Sequence, residues 1–215
     1  MITHLLFDHD GVLVDTENWY FEATSQALAR LGVTMQFDDY KQHLIDGQSS
    51  WVEAIRRGIS QTEIDVARAW RDERYQHYLR TEDIDIAGVA DVLEELSQTF
   101  KMAVITTAKR ADFELIHSKR TLLDRMTFVL CREDYDKAKP DAEPYQTGLI
   151  RFEIEPNSVI VIEDSKRGLV AAEAAGIRTV KVYNEFVAYQ DAFSDYAIQS
   201  LEELPHLLLN ISRLE

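Results

Sequence analysis

What the chain lacks narrows its possible roles before any motif is read. Cys131 is the only cysteine among 215 residues, so no intrachain disulfide can form, a usage that fits a reducing cytoplasm. No apolar run approaches the roughly 20 residues that span a bilayer, and neither an internal repeat nor a low-complexity tract interrupts the sequence. The opening stretch MITHLLFDHD has no basic start, no long apolar segment and no small-residue cleavage site of the kind a secretory signal carries. A cytoplasmic protein is therefore expected. Positive charge is also scarce: 23 Lys and Arg stand against 38 Asp and Glu, for a formal net charge of −15. Such a field opposes nucleic acid and anionic membranes, so neither is expected as a partner. An anionic substrate would have to be drawn in locally, by a metal ion, a placed lysine or a helix N-terminus. The sequence specifies no oligomeric state.

What is present has the balance of an ordinary globular chain, with 46% hydrophobic and 28% charged residues. The length allows one large domain, or one domain carrying an insertion. Ile2 to Phe7 reads as a short buried strand that ends where polar turn residues begin. Glu17 to Leu31 repeats apolar residues at helical spacing and meets a stop at Gly32. From Phe37 to Leu79 the sequence favours helix and is poor in strand signals, with a capping-box pattern expected at Thr62 and Asp65. After Asp83 the texture changes to short apolar strands alternating with helices: KMAVIT, MTFVL, SVIVIE, IRTVKV and a weak YAI. That alternation predicts a parallel sheet covered on both faces. A single early strand, a helical stretch and then the rest of the sheet point to an insertion. The expected fold is α/β, a Rossmann-like parallel-sheet core from residues 1–15 and 84–215 with an all-helical cap inserted at 16–83.

In open α/β sheets the ligand site lies beyond the carboxyl ends of the strands. Four such ends carry chemistry: Asp8 and Asp10 follow the first strand, Thr106 and Thr107 the second, Lys139 lies in the loop after the third, and Glu163 with Asp164 closes the fourth. Carboxylates repel each other and are costly to desolvate, so a cluster at a strand mouth calls for a cation or a catalytic use.

Four motifs appear in order. They are Asp8-His9-Asp10-Gly11-Val12-Leu13-Val14-Asp15, Thr106 in AVITTAKR, Lys139 in KAKPDAEPY, and Glu163-Asp164 opening IEDSKRGLVAAEAAG. With them the sequence resembles the haloacid dehalogenase-like superfamily, in its branch of small phosphatases and β-phosphoglucomutase-like enzymes with a helical cap. The resemblance implies a phosphatase acting on a small phosphorylated metabolite such as a sugar phosphate. It implies Asp8 as nucleophile, giving an aspartyl-phosphate, and Asp10 as general acid and then base. It further implies Thr106 and Lys139 as groups that hold phosphoryl oxygens, and Mg²⁺ on Asp8, the Asp10 backbone carbonyl and Asp164. Glu163 would serve the metal through water or by supporting a ligand. Gly11 would turn the backbone so that N–H groups face the phosphate. Thr107, Tyr20, Gly47, Gln48 and Lys109 are candidates for contact with substrate.

Departures from the family pattern separate its branches. Asp10 argues against carbon–halogen cleavage, which needs no acid for the leaving group. Lys41, the one lysine of the insertion, sits in a context unlike that of a Schiff-base lysine. A sugar-phosphate mutase would carry a histidine where Tyr20 stands and an arginine where Gln48, Ser49 and Ser50 stand, so hydrolysis is favoured. A non-catalytic phospholigand-binding protein is a further alternative, disfavoured by the intact motifs. Other residues read as structural: Asp15 as a helix cap, His9 as packing that points away from its flanking aspartates, Lys137 as solvated, and Cys131 as core.

Overall fold

A computed structural model describes residues 1–184 and 193–214, with the side chains of Ile45 and Leu214 left aside. Among the described residues six strands form one sheet: β1 (His4–Phe7), β2 (Lys101–Ile105), β3 (Phe128–Leu130), β4 (Val159–Glu163), β5 (Arg178–Val182) and β6 (Tyr196–Ile198). All pairings are parallel and the order is β3-β2-β1-β4-β5-β6. YAI, the weakest strand signal, is the edge strand β6.

Alternation along the strands explains the core. Leu5 and Phe7 of β1 point to one face, where Met102, Val104, Ile160, Ile162 and Val180 join them. That layer is closed by α5 (Val89–Ser97) and α9 (Leu204–Leu214) through Val92, Leu93, Leu96, Leu204 and Leu208. Leu6 points to the other face, with Ala103, Ile105 and Val161, under α7 (Glu143–Phe152) and α8 (Lys166–Ala174). With both faces covered, β1 and β4 are buried along their whole length, which is why Leu5–Phe7 and Val159–Ile162 read as unbroken apolar runs. The remaining core helix, α6 (Arg110–His117), follows β2. It ends at His117, after which the chain makes a separate 3₁₀ turn at Leu122–Arg125.

Among the described residues the chain gathers into two compact units, one of Met1–Asp15 with the chain from Asp85 onward, the other of Thr16–Ile84. The second is built from α1 (Glu17–Ala29), α2 (Phe37–Asp46), α3 (Val52–Arg56) and α4 (Gln61–Thr81). Its own core holds Ala27, Leu28, Tyr40, Trp51, Ala54, Ile64 and Ala67. Two capping expectations need correction. The capping box lies two residues earlier than Thr62 and Asp65: Ser60 Oγ accepts from Glu63 N at 3.3 Å, and Glu63 Oε2 accepts from Ser60 N at 3.1 Å. The reason is that α4 already starts at Gln61, after Ser60 in extended backbone, so Thr62 stands inside the first turn. At α1 the cap position belongs to Thr16 rather than Asp15, and its side chain makes no capping hydrogen bond.

Candidate active site

The chain runs outward from β1 through β2 to β3, then returns to lay β4 against the other side of β1. The crevice beyond the carboxyl ends of β1 and β4 is thus the point where the winding reverses, where open α/β sheets place their ligands. Asp8 N donates to Ile162 O at 2.9 Å, which carries the ladder one residue past β1. Asp8 and Asp164 therefore leave adjacent strands at the same end of the sheet.

Lys139 ties these ends together. Its ammonium donates to Asp8 Oδ1, Glu163 Oε1 and the Ile105 carbonyl, each at 2.8 Å. An ammonium has three protons, so its donor capacity is used completely. Burial alone would lower its pKa, yet the flanking Asp8 and Glu163 carboxylates hold it well above the ordinary lysine value. Burial, with Glu163 beside it, pushes the Asp8 carboxyl up to about 6 against the pull of Lys139.

Glu163 is fully buried, and both its oxygens are engaged. Oε1 takes Lys139 and the Tyr145 hydroxyl at 3.0 Å, while Oε2 takes the Ser165 N–H and hydroxyl, both at 2.9 Å. The first turn of α8 closes over this carboxylate: a Cβ on Gly168 would stand 1.5 Å from Glu163 Oε1. Only glycine fits there. Gly11 is similarly constrained, with φ +79° and an imagined Cβ 2.1 Å from Asp164 Oδ2. That same oxygen accepts from Asn184 Nδ2 at 2.7 Å.

Asp10 is half-buried on the turn that follows. The expectation that His9 points away from the aspartates is corrected here, since His9 Nδ1 lies 3.3 Å from Asp10 Oδ2. Strand alternation does not hold past Phe7, where β1 has ended and the chain turns through Gly11. The His9 ring is nevertheless fully buried, against Phe113 and His117. Thr106 is buried at the end of β2; its Oγ1 accepts from Ala108 N at 3.0 Å and its carbonyl accepts from the Tyr135 hydroxyl at 2.7 Å.

Asp8, Lys139, Glu163 and Asp164 are thus brought together, with Gly11 against Asp164 and Thr106 at the neighbouring strand end. Thr107 is half-buried next to it and Lys109 is exposed at the start of α6. Tyr20, Gly47 and Gln48 lie in the other unit. There the Tyr20 hydroxyl accepts from Arg71 Nη1 at 2.5 Å, Gly47 ends α2 at φ +65°, and Gln48 is exposed. Lys137 is exposed beside Asp141, and Cys131 is buried. Sequence reasoning missed Asn184, Tyr145, Gly168 and His117. Asn184 stands two residues beyond β5, so the strand-end rule applied to one more strand would have found it. The others lie on helices, where nothing in the local pattern marks them.

Asp8, Glu163 and Asp164 each offer a carboxylate oxygen, and these lie within 4.8 Å of one another. Several buried carboxylates against one ammonium leave the cluster short of positive charge, and hard oxygen donors suit a small divalent cation. The donor set fits such an ion through Asp8 and Asp164, because Glu163 is already committed to Lys139, Tyr145 and Ser165.

Comparison with known proteins bears on this arrangement. The family model described as haloacid dehalogenase-like hydrolase matches residues 5–182. A phosphorylated carbohydrates phosphatase of Thermotoga maritima is 31% identical over 182 residues, covering 82% of this chain and 82% of that protein. The validoxylamine A 7'-phosphate phosphatase of Streptomyces hygroscopicus subsp. limoneus is 28% identical over 212 residues, covering 94% and 96% respectively. In fold, the chain resembles CbbY from Rhodobacter sphaeroides solved in complex with phosphate, with a TM-score of 0.79, 23% identity, and coverage of 95% of this chain and 96% of that one.

Proposed function

The chain belongs to the haloacid dehalogenase-like hydrolase family and is a phosphoric monoester hydrolase, and from that premise we propose that it hydrolyses a small sugar-like phosphate through an aspartyl-phosphate on Asp8, with Mg²⁺ as cofactor. The observation that carries this reading is the single ammonium of Lys139 bound at 2.8 Å to both Asp8 and Glu163. It fixes one carboxylate oxygen of Asp8 and sets a positive charge where phosphoryl oxygens would gather. The substrate class is supported by the names of the two phosphatase relatives, which act on phosphorylated carbohydrates and on validoxylamine A 7'-phosphate.

In the first half-reaction an Asp8 carboxylate oxygen attacks phosphorus in line with the ester oxygen. The P–O ester bond breaks as Asp10 gives its proton to the departing alkoxide, leaving an alcohol, phosphorylated Asp8 and ionised Asp10. In the second, Asp10 takes a proton from water while the resulting hydroxide oxygen bonds to phosphorus. The bond from phosphorus to Asp8 breaks, and inorganic phosphate and protonated Asp10 are left. The Thr106 hydroxyl holds a phosphoryl oxygen throughout, with backbone N–H groups of the turn at Gly11, while the Lys139 ammonium, its protons spent on Asp8, Glu163 and the Ile105 carbonyl, offsets the phosphoryl charge from beside Asp8. When bound by Asp8, Asp164 and the Asp10 carbonyl, Mg²⁺ supplies charge neutralisation. Glu163 keeps Lys139 in place, and Asn184 orients Asp164.

Residues 16–83 act as a cap that selects substrate, with Tyr20, Gly47, Gln48, Thr107 and Lys109 as contacts. Hydrolysis is favoured over a mutase by Tyr20: its phenol is held by Arg71, and burial raises its pKa above the ordinary tyrosine value. A tyrosine so placed is no proton shuttle near neutral pH. A cytoplasmic location belongs to the same reading.

The test is phosphate release by the purified chain from p-nitrophenyl phosphate and a panel of sugar phosphates, with Mg²⁺ and then with EDTA. Turnover with Mg²⁺ that EDTA removes is expected. Absence of turnover at every metal concentration would favour a binding protein, and conversion of β-glucose 1-phosphate to the 6-phosphate would favour the mutase.

A further inference from the structure

A buried pair of histidines runs from the general acid into the core. His9 Nδ1 stands 3.3 Å from Asp10 Oδ2, and His9 Nε2 stands 2.9 Å from His117 Nε2. His9 is wholly buried against Phe113, with ring centroids 4.7 Å apart, and His117 is 7% exposed. His117 Nδ1 has no hydrogen-bond partner among the described residues. We propose that His9 and His117 form a positioning string for Asp10, in which His9 Nδ1–H donates to Asp10 Oδ2 and leaves Oδ1 to carry the transferable proton.

The proton count of the two rings decides the direction of these bonds. A neutral imidazole has one N–H and one lone pair, so the contact between the two Nε2 atoms admits two arrangements. In the first, His117 Nε2–H donates to His9, His9 Nδ1–H donates to Asp10, and His117 Nδ1 is a bare lone pair. In the second, every bond reverses. His117 Nδ1–H is then a buried donor with no acceptor, and His9 turns a lone pair toward a carboxylate that must be protonated on Oδ2 to meet it. Buried orphan donors are the rarer and costlier defect. The first arrangement is therefore the stable one. It also serves both half-reactions, because Oδ2 accepts from His9 whether or not Oδ1 holds a proton. Burial, with His9 and Arg120 nearby, pushes the His117 pKa down to about 3, in keeping with a neutral ring.

This inference rests on the reading of Asp10 as proton donor, so the experiment separates the two. Values of kcat/KM are measured for p-nitrophenyl phosphate, a good leaving group, and for an alkyl phosphate, a poor one. The enzymes are wild type, Asp10→Asn, His9→Leu, His9→Leu/His117→Leu and His9→Asn. The double variant keeps an apolar fill against Phe113 with no orphaned imidazole, which guards against simple misfolding. In His9→Asn the amide Nδ2 sits where His Nδ1 stood and can still donate to Asp10, though it cannot reach His117. The expected result is a loss of about tenfold on the alkyl phosphate for His9→Leu and the double variant, as for a lost hydrogen bond to a charged group. Less than about twofold is lost on p-nitrophenyl phosphate, and His9→Asn recovers most of the alkyl activity. Equal losses on both substrates, or no rescue by asparagine, would overturn the string while Asp10→Asn still discriminated between leaving groups. If Asp10→Asn itself fails to discriminate, the reading of Asp10 falls, and the string falls with it.

Discussion

Replacing Glu163 by Gln tests whether Lys139 is held from two sides. The carboxylate accepts at both oxygens, from Lys139 and Tyr145 on one and from the Ser165 N–H and hydroxyl on the other. An amide accepts at one end only. The two hydroxyls can rotate to meet its N–H₂, but the ammonium and the Ser165 N–H cannot, so one buried donor is left facing another. A lost hydrogen bond to a charged group costs about 1.5–3 kcal/mol, and we expect Glu163→Gln to cost about 3 kcal/mol. For a chain of 215 residues that is a fall in Tm of roughly 6–12 °C. Lys139→Met leaves Asp8 and Glu163 as buried neighbours without a cation, at about 4 kcal/mol. Once the lysine is gone, however, glutamine at 163 relieves the surplus charge. The double variant should therefore cost at least about 2 kcal/mol less than the sum of the single ones. Urea unfolding followed by circular dichroism, in EDTA so that no cation compensates, measures all four corners of the cycle. Additivity within about 0.5 kcal/mol would refute the claim that Lys139 and Glu163 act as one buried unit.

Further predictions follow from the packing of the site. Gly168→Ala places a methyl 1.5 Å from Glu163 Oε1, so it should cost about 1–3 kcal/mol and lower kcat as Lys139 loses its anchor; unchanged kcat in a well-folded variant would refute this. Cys131 is buried, and burial pushes its thiol from an ordinary 9.0 up to about 12. The folded state thus favours the protonated thiol, a contribution complete below pH 9 and lost as pH rises from about 9 to about 12. The native protein should resist a thiol-exchange reagent at pH 8 and react once unfolded; rapid native labelling would contradict its burial.

The fold was legible where a residue type has one physical use. The short apolar runs Leu5–Phe7 and Val159–Ile162, too short for a helix and followed directly by acidic residues, read as strands covered on both faces, and the carboxylates behind them marked the strand ends. Lys139 was legible through its motif, although the sequence gives no hint that Glu163 spends both oxygens on holding it. The contacts made by Asn184, Tyr145 and Gly168 depend on how α7, α8 and the end of β5 pack, a long-range outcome that no local pattern encodes. His9 was misread because alternation was carried two residues past the end of β1. The capping box was misplaced for a related reason: Ser60 and Glu63 satisfy the same pattern two residues earlier, and the chain uses the first cap available.

The central claim is that Asp8, held by Lys139 at the crevice between β1 and β4, is the nucleophile in covalent phosphoryl transfer. Acid quenching during turnover, reduction with borohydride and peptide mapping test it directly, because an aspartyl-phosphate is reduced to homoserine. Homoserine at position 8, absent without substrate, is the predicted result. Homoserine at another position, or none while turnover proceeds, would contradict the account.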